Sequence, residues 1–385
     1  MRLLAPREPP LEPVQVDLER YFTPQEVERG AKFARPQMAL GLARSALDLV
    51  ALAEVVRRSR RSPRGPASPY AAGALTAAGL VAGLTLVSLP LSAVARRRAI
   101  AVGLITQSWR GWAVDLVKST AIEATLAAGG GAAALAAIRR YPRDWWLPAA
   151  AGSVAVGTLL GALAPVVLDP IFNDFTPLPE GELRSDVLDL AQASGVDVGE
   201  VYEVDASRRT TGANAYVTGL GPTKRVVLFD TLIERFTPDE VRVVVAHELS
   251  HVRHRDVLRG VAYSALVAPL AALAVQRLSW AISPQRDTPA ALPAVALAAA
   301  LVAAPVGLIG NRLSRALERR ADTYSLKLSD APAAFVSFER AIALQNVADL
   351  RPPRWVSAVL ASHPPTLERI GAALAYAQGA SRPGD

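Results

Sequence analysis

Residues 237–254 read TPDEVRVVVAHELSHVRH, and the rest of the chain is organised around this stretch. Thr237 followed by Pro238 and Glu240 is the pattern of a helix N-terminus with a capping box. On the helix that follows, His247 and His251 are four residues apart and lie one above the other on the same face. The run matches H-E-x-x-H, in which two imidazoles hold zinc and the acid between them, Glu248, acts on a water molecule. Three fixed positions in five also occur by chance in unrelated helices. The capping box, which makes this segment helical, separates it from that background. The other two histidines are His254, just past the motif, and His363 in a distant Ser-His-Pro-Pro run.

Two histidines do not complete a catalytic zinc site, which takes three protein ligands and leaves a position for water. A metzincin would place a third histidine at 257, where the chain has Val257. The candidate is Glu318 in SRALERRADTYSLKL (residues 314–328), with Asp322 four residues on, placed to accept the outer N–H of a ligating histidine. The competing reading is a solvated charged helix face in which Arg315, Arg319 and Arg320 pair with both acids. HELSH tips the balance toward a ligand.

Six stretches extend the pattern over most of the chain. They are YFTPQEVERG (21–30), PIFNDFTPLPEGEL (170–183), ANAYVTGLGPTKRVVLFDTLIE (213–234), HELSH (247–251), NRLSRALERRADTYSLKL (311–328) and SHPPTLERI (362–370). In this order they resemble the CAAX prenyl proteases, integral-membrane zinc metallopeptidases of the gluzincin type. The resemblance implies that His247, His251 and Glu318 ligate one zinc ion per chain, that Glu248 is the general base and that Asp322 supports a ligand from behind. It further implies that Asn214 and Ala215 belong to an edge strand holding substrate backbone, and that His363 faces the scissile carbonyl. Eukaryotic members have a further span before the YFTPQEVERG region; here polar, proline-containing sequence precedes it.

Composition independently indicates a membrane protein. The chain is 51% hydrophobic, and its apolar residues fall in long blocks. Ala71–Ala95 and Ala290–Ile309 carry no charge; less pure blocks cover 37–56, 113–138, 146–168 and 258–279, giving six expected spans. The first block lies too far from the start for a cleavable signal peptide. Arg44 and Asp48 interrupt the first span, and Asp115, Lys118 and Glu123 the third. Helical spacing allows Arg44 to pair with Asp48 and Asp115 with Lys118; such residues either line a polar intramembrane chamber or mark span ends. A net charge of +7 could suggest nucleic acid, but only four of the 42 basic residues are lysine and many arginines sit at span ends. The absence of cysteine excludes disulfides and thiolate metal sites. Arginine and alanine dominance points to a GC-rich bacterial genome.

The expected fold is a predominantly α multi-span membrane protein with a gluzincin-like protease domain containing a small antiparallel sheet. Residues 1–36 form an N-terminal cytoplasmic segment, and 37–168 a four-span region. A soluble insert (169–256) carries the edge strand and the HELSH helix; two further spans (257–311) and a C-terminal catalytic region (312–385) follow. Within the insert, Leu183, Val187, Leu190 and Ala191 fit an amphipathic helix. Glu200–Val204, Ala213–Thr218 and Val226–Phe229 read as strands, the last two joined by a hairpin turn at Gly219–Thr223. HELSH and Glu318 must meet, and two spans separate them, so both lie on one membrane side, taken as cytoplasmic. Arg96–Arg98 then flank that side, and Arg57, Arg58, Arg60, Arg61 and Arg64 the other. The function expected is metal-assisted peptide hydrolysis in a bacterial cell membrane, on a peptide or protein substrate. A quality-control protease without prenylated substrates, a metal-stabilised scaffold and a transporter are the alternatives. No feature fixes an oligomeric state.

Overall fold

The computed structural model describes residues 4–59, 68–219 and 224–380. Four long helices come first: α1 (Pro24–Ser59), α2 (Pro69–Ala101), α3 (Trp109–Arg140) and α4 (Trp146–Leu163). A π-helical turn (Ala164–Leu168) carries α4 into the short α5 (Asp169–Phe172). The insert contains β1 (Phe175–Pro177), α6 (Glu182–Ala193), β2 (Glu200–Val204), β3 (Ala215–Thr218), β4 (Arg225–Phe229), α7 (Asp230–Arg235) and α8 (Pro238–Arg253). Two long helices, α9 (Asp256–Ile282) and α10 (Leu292–Ser329), precede α11 (Pro332–Gln345), α12 (Arg354–Val359) and α13 (Thr366–Ala380).

Five helical segments are long and apolar enough to cross a membrane: Pro69–Ala101, Trp109–Arg140, Trp146–Phe172, Asp256–Ile282 and Pro289–Ser329. Each contains one of the expected spans. The sixth, over 37–56, lies in α1, which is long enough but not apolar enough, because Arg44 and Asp48 interrupt it. No ion pair joins those two residues, and Asp48 Oδ1 is buried without a hydrogen-bond partner among the described residues. Helix α1 nevertheless runs the full height of the others. Phe33 packs with Ala99, near the end of α2, while Leu52 and Val56 pack with Ala294 and Leu297 at the start of α10. The two contact zones are separated by about 30 Å of helix at 1.5 Å per residue. Neighbouring helices follow the order α3, α2, α1, α10, α9, α4, and α4 touches α3, so six helices form a ring. The apolar windows of α4 and α9 bury none of their residues within the protein, which leaves those faces for lipid.

The charges of α3 are used at its end rather than along a helix face. Asp115 pairs with Arg209 of the insert at 3.0 Å, not with Lys118, whose ammonium donates to the Ile171 carbonyl at 3.2 Å. The first ties α3 to the segment before β3, and the second ties it to the end of the Trp146–Phe172 segment. Arg60, Arg61 and Arg64 and the expected turn residues 220–223 lie outside the described residues. Arg57 and Arg58 close the distal end of α1 on Glu54.

The sheet is mixed, which corrects the expectation of an antiparallel one. Strand order is β1-β2-β4-β3; β1 pairs with β2 and β3 with β4 antiparallel, but β2 and β4 run parallel. The chain leaving β2 places β3 on the far edge before returning through β4, so β4 lies beside β2 in the same direction. Val201, Val226, Leu228, Leu232, Val241, Val245 and Leu249 form one buried core between sheet, α6 and α8. At about 25 cal/mol per Å² of apolar area removed from water, this burial fixes α8 against the sheet. On its other side α8 meets α10 and α11.

Helices α2 and α3 approach closely at Gly73 and Gly131. A Cβ on Gly131 would stand 2.5 Å from the Ala77 Cβ and 2.8 Å from the Gly73 carbonyl oxygen, whereas one on Gly129 meets nothing within 4 Å. Thermal unfolding in detergent should therefore separate two chemically identical changes. Gly131→Ala is expected to destabilise by about 1–3 kcal/mol through overpacking, and Gly129→Ala to be neutral or stabilising by about 0.5–1 kcal/mol. A Gly131→Ala protein that melts at or above the wild type would contradict the close crossing.

Candidate metal centre and catalytic cleft

The capping box on α8 forms as its sequence requires: Thr237 Oγ1 accepts from the Glu240 N–H, and the Glu240 carboxylate accepts from the Thr237 N–H. Within its last two turns, α8 presents His247 and His251 toward α10. His247 Nε2 lies 3.2 Å from His251 Nε2 and 3.2 Å from Glu318 Oε2, and His251 Nε2 lies 3.6 Å from Glu318 Oε1. Ligands about 2.0–2.1 Å from a tetrahedral zinc are about 3.3 Å from one another. The two imidazole nitrogens and the Glu318 carboxylate, one atom from each lying within 4.8 Å of the others, could hold such an ion.

Electrostatics supports the same fit. His247 Nδ1 lies 2.9 Å from Asp322 Oδ1 and His251 Nδ1 2.9 Å from Asp256 Oδ2. When both Nδ1 atoms donate outward, both Nε2 atoms turn lone pairs toward each other and toward the buried Glu318 carboxylate. Three electron-rich groups this close repel unless a cation lies among them. Burial opposes charging His247, yet its contacts with Asp322 and Glu318 win and lift its pKa to about 10. A two-imidazole, one-carboxylate donor set is that of a catalytic zinc site with an open fourth position.

Each Asp behind a histidine is itself clamped by an arginine. Asp322 accepts two hydrogen bonds from Arg369 of α13, at 2.9 and 2.6 Å, and Arg369 also contacts the fully buried Glu339 of α11 at 2.6 Å. Burial pushes the Glu339 carboxyl up to about 7, with Arg369 pulling it down. Asp256 accepts from Arg320 of α10. Arg315 donates to the carbonyls of Ala358 and Ala361, and Arg319 pairs with Glu368, so none of the three arginines pairs with Glu318 or Asp322 as a solvated helix face would have them do. Sequence analysis missed Asp256, Arg320, Arg369 and Glu339. Asp256 opens α9 directly after Arg255, whose φ of 55° turns the chain back beneath His251. A non-glycine residue held at positive φ beside a site marks a backbone constrained by its surroundings, a feature that the sequence does not display.

A cleft of about 200 Å³ opens beside the three ligands. Ala213, Asn214, His247, Glu248, Asn346 and His363 border it, and Val243, Phe335, Phe338 and Ile342 give it an apolar wall. Burial pushes the Glu248 carboxyl above its ordinary range, while His247 and His251 pull the other way. Asn214 immediately precedes β3, and its carbonyl accepts from the Phe229 N–H at 3.0 Å; Ala215 is buried at the start of this edge strand. His363 is mostly exposed on the loop before α13, its Nδ1 2.9 Å from Ser362 Oγ and its Nε2 3.4 Å from Glu318 Oε2. His254 caps α8, bonds to the Ser250 carbonyl and packs edge-on to Tyr324, away from the cluster.

Membrane-crossing helices, an H-E-x-x-H helix and a His-His-Glu cluster beside a cleft define a membrane-embedded metalloendopeptidase. The chain belongs to peptidase family M48, whose model matches residues 177–377. A second model, described as CAAX prenyl protease N-terminal, five membrane helices, matches residues 14–174. A protein named uncharacterized metalloprotease YhfN from Bacillus subtilis is 32% identical over 295 residues, covering 74% of this chain and 69% of YhfN. The CAAX prenyl protease 1 homolog of rice is 32% identical over 229 residues, covering 57% of this chain and 53% of its own length. For CAAX prenyl protease 1 of Saccharomyces cerevisiae the match is 33% over 156 residues, or 40% and 34%. The chain thus spans about half or less of these two eukaryotic relatives. The crystal structure of S. mikatae Ste24p has the same fold, with a TM-score of 0.79 over 93% of this chain and 91% of that one, at 22% identity.

Support from behind a ligand tunes metal affinity, and its loss typically costs 10- to 100-fold. Asp256→Asn and Asp322→Asn should each weaken zinc binding by about that factor in a chelator competition. His254→Ala should bind as the wild type does. Wild-type affinity in Asp256→Asn would remove that residue from the centre.

Proposed function

We propose that the chain is a zinc-dependent membrane endopeptidase in which His247, His251 and Glu318 hold one zinc ion, Glu248 is the general base and Asp322 supports His247. The observation that carries this reading is the cluster of two imidazole nitrogens and the Glu318 carboxylate, in contact at 3.2–3.6 Å, beside the cleft that Glu248 lines. When bound, zinc lowers the pKa of its water to near neutrality and polarises a carbonyl. Glu248, with its proton affinity raised by burial, takes the proton from the attacking water and delivers it to the leaving amine. Substrate lies extended along the free edge of β3 beside Asn214 and Ala215, held by main-chain hydrogen bonds with little sequence preference. His363, at the mouth of the cleft, donates to the oxyanion. By likeness to the relatives named CAAX prenyl proteases, the substrates are peptides presented at the membrane, CAAX-type C-termini among them.

Two substitutions separate an enzyme from a metal-stabilised scaffold or transporter. Glu248→Gln should keep its zinc and lose peptidase turnover by a factor on the order of a hundred or more. His363→Ala should keep zinc and substrate affinity while turnover drops roughly a hundred- to a thousandfold. Near-normal cleavage by the first variant would refute the base assignment; a defect in the second that consists wholly of lost zinc would refute the oxyanion role.

The catalytic end is assigned to the cytoplasmic side of a bacterial membrane. A bacterial relative and the Arg96–Arg98 cluster at that end support this. Because the chain has no cysteine, single cysteines report cleanly. In intact cells an impermeant maleimide should label a cysteine at Ser68 and spare one at Glu180. The reverse pattern would invert the topology.

A further inference from the structure

At the catalytic-side end of the membrane layer, where α1 enters and α2 ends, two adjoining cavities share Arg29 and Val102. One, of about 390 Å³, is also lined by Lys32, Phe33, Arg98 and Ala101; the other, of about 450 Å³, faces the aqueous side and is lined by Arg235 and Arg340. The uncharged run of α2 ends at Ala95 and is followed by Arg96–Arg98, which places the groove at headgroup depth.

Five basic side chains face this groove, and carboxylates neutralise two of them. Lys32 pairs with Glu28 at 2.6 Å and Arg340 with Glu26 at 3.3 Å. Arg29 and Arg98 each donate one Nη2 to a backbone carbonyl, of Val102 at 3.1 Å and of Lys32 at 2.8 Å, which fixes the guanidinium groups without neutralising them. Arg98 Nε is buried with no acceptor. Arg235 is exposed and has no hydrogen-bond or ion-pair partner among the described residues. Three uncompensated guanidinium groups thus surround a space whose membrane end is apolar, formed by Phe33, Ala101 and Val102.

We propose that this groove binds an anionic glycerophospholipid of the surrounding bilayer. Its phosphate sits against Arg29 and Arg98, with Arg235 facing the polar headgroup and the first acyl carbons along Phe33 and Val102. Planar guanidinium donors match phosphate oxygens two at a time, and basic pockets between membrane helices recognise lipid headgroups by this chemistry. A free phosphate would satisfy the arginines but leave the apolar end wet, which favours the lipid.

Native mass spectrometry of the full chain in detergent, titrated with phosphatidylglycerol or phosphatidylcholine of matched acyl chains, tests the assignment. The wild type should hold phosphatidylglycerol at least about tenfold more tightly, a margin within reach of charge-assisted hydrogen bonds. Arg29→Gln with Arg235→Gln should abolish the preference with zinc content unchanged, and Arg235→Gln alone should reduce it. Arg57→Gln with Arg58→Gln, at the opposite end of α1, should retain it. Equal binding of the two lipids by the wild type, or an undiminished preference in the Arg29 and Arg235 double variant, would overturn the proposal. Displacement of the lipid by millimolar inorganic phosphate would reassign the groove to free phosphate and overturn the lipid claim.

Discussion

Two imidazole nitrogens and a carboxylate brought within 3.2–3.6 Å of one another, with His247 and Glu318 buried, are the constraint to which the catalytic half of the molecule is fitted. Such an assembly is unfavourable unless a cation occupies its centre and every outward-facing polar atom has a partner. The outward atoms are served by two parallel devices, His247–Asp322–Arg369 and His251–Asp256–Arg320. Together they draw on α8, α9, α10 and α13, so the site forms only when those four helices are packed. Arg369 contacts α11 as well, through Glu339. The N-terminal segment closes the back of this network: Leu11 N–H donates to Thr323 Oγ1, and Val14 N–H to the Gly371 carbonyl. Gly371 is required there, because a Cβ would lie 2.4 Å from the Val14 carbonyl oxygen.

Helix α10 joins the two halves of the protein. Its first half packs Ala294 and Leu297 against α1, and its last turns hold Glu318 and Asp322 buried beside α8. One continuous helix of 38 residues therefore fixes the height of Glu318 relative to the membrane. The α9–α10 pair leaves from the HELSH helix and returns to it, which is why Glu318, 67 positions beyond His251 in sequence, reaches the two histidines. Asp115 and Arg209 add a second connection, from α3 to the insert that carries β3. The cleft is thus tied to the membrane helices on both flanks.

Much of this was legible in local sequence. The capping box, the four-residue spacing of the histidines and the uncharged runs of α2 and α10 are short-range codes, because helix geometry and transfer from water act within a few turns of chain. Glu318 was reachable because it and Asp322, four residues apart on one helix face, form an acid pair, and both do meet His247. Helix α1 was harder: Arg44 and Asp48 leave it outside the five candidate spans, and only packing shows that it runs alongside α2 and α10.

The sequence by itself determined the long helices, the two-histidine motif, the acid pair Glu318 and Asp322 and the membrane class of the chain. Tertiary structure alone decided that β2 and β4 run parallel, that Asp115 pairs with Arg209 instead of Lys118, and that Asp256, Arg320, Arg369 and Glu339 complete the surroundings of the site. The difference has one physical cause. Periodicity and hydropathy depend on neighbours in the chain, whereas ion pairing and strand direction depend on which surfaces meet. Partners such as Arg320 and Asp256, 64 residues apart, leave no periodic signal.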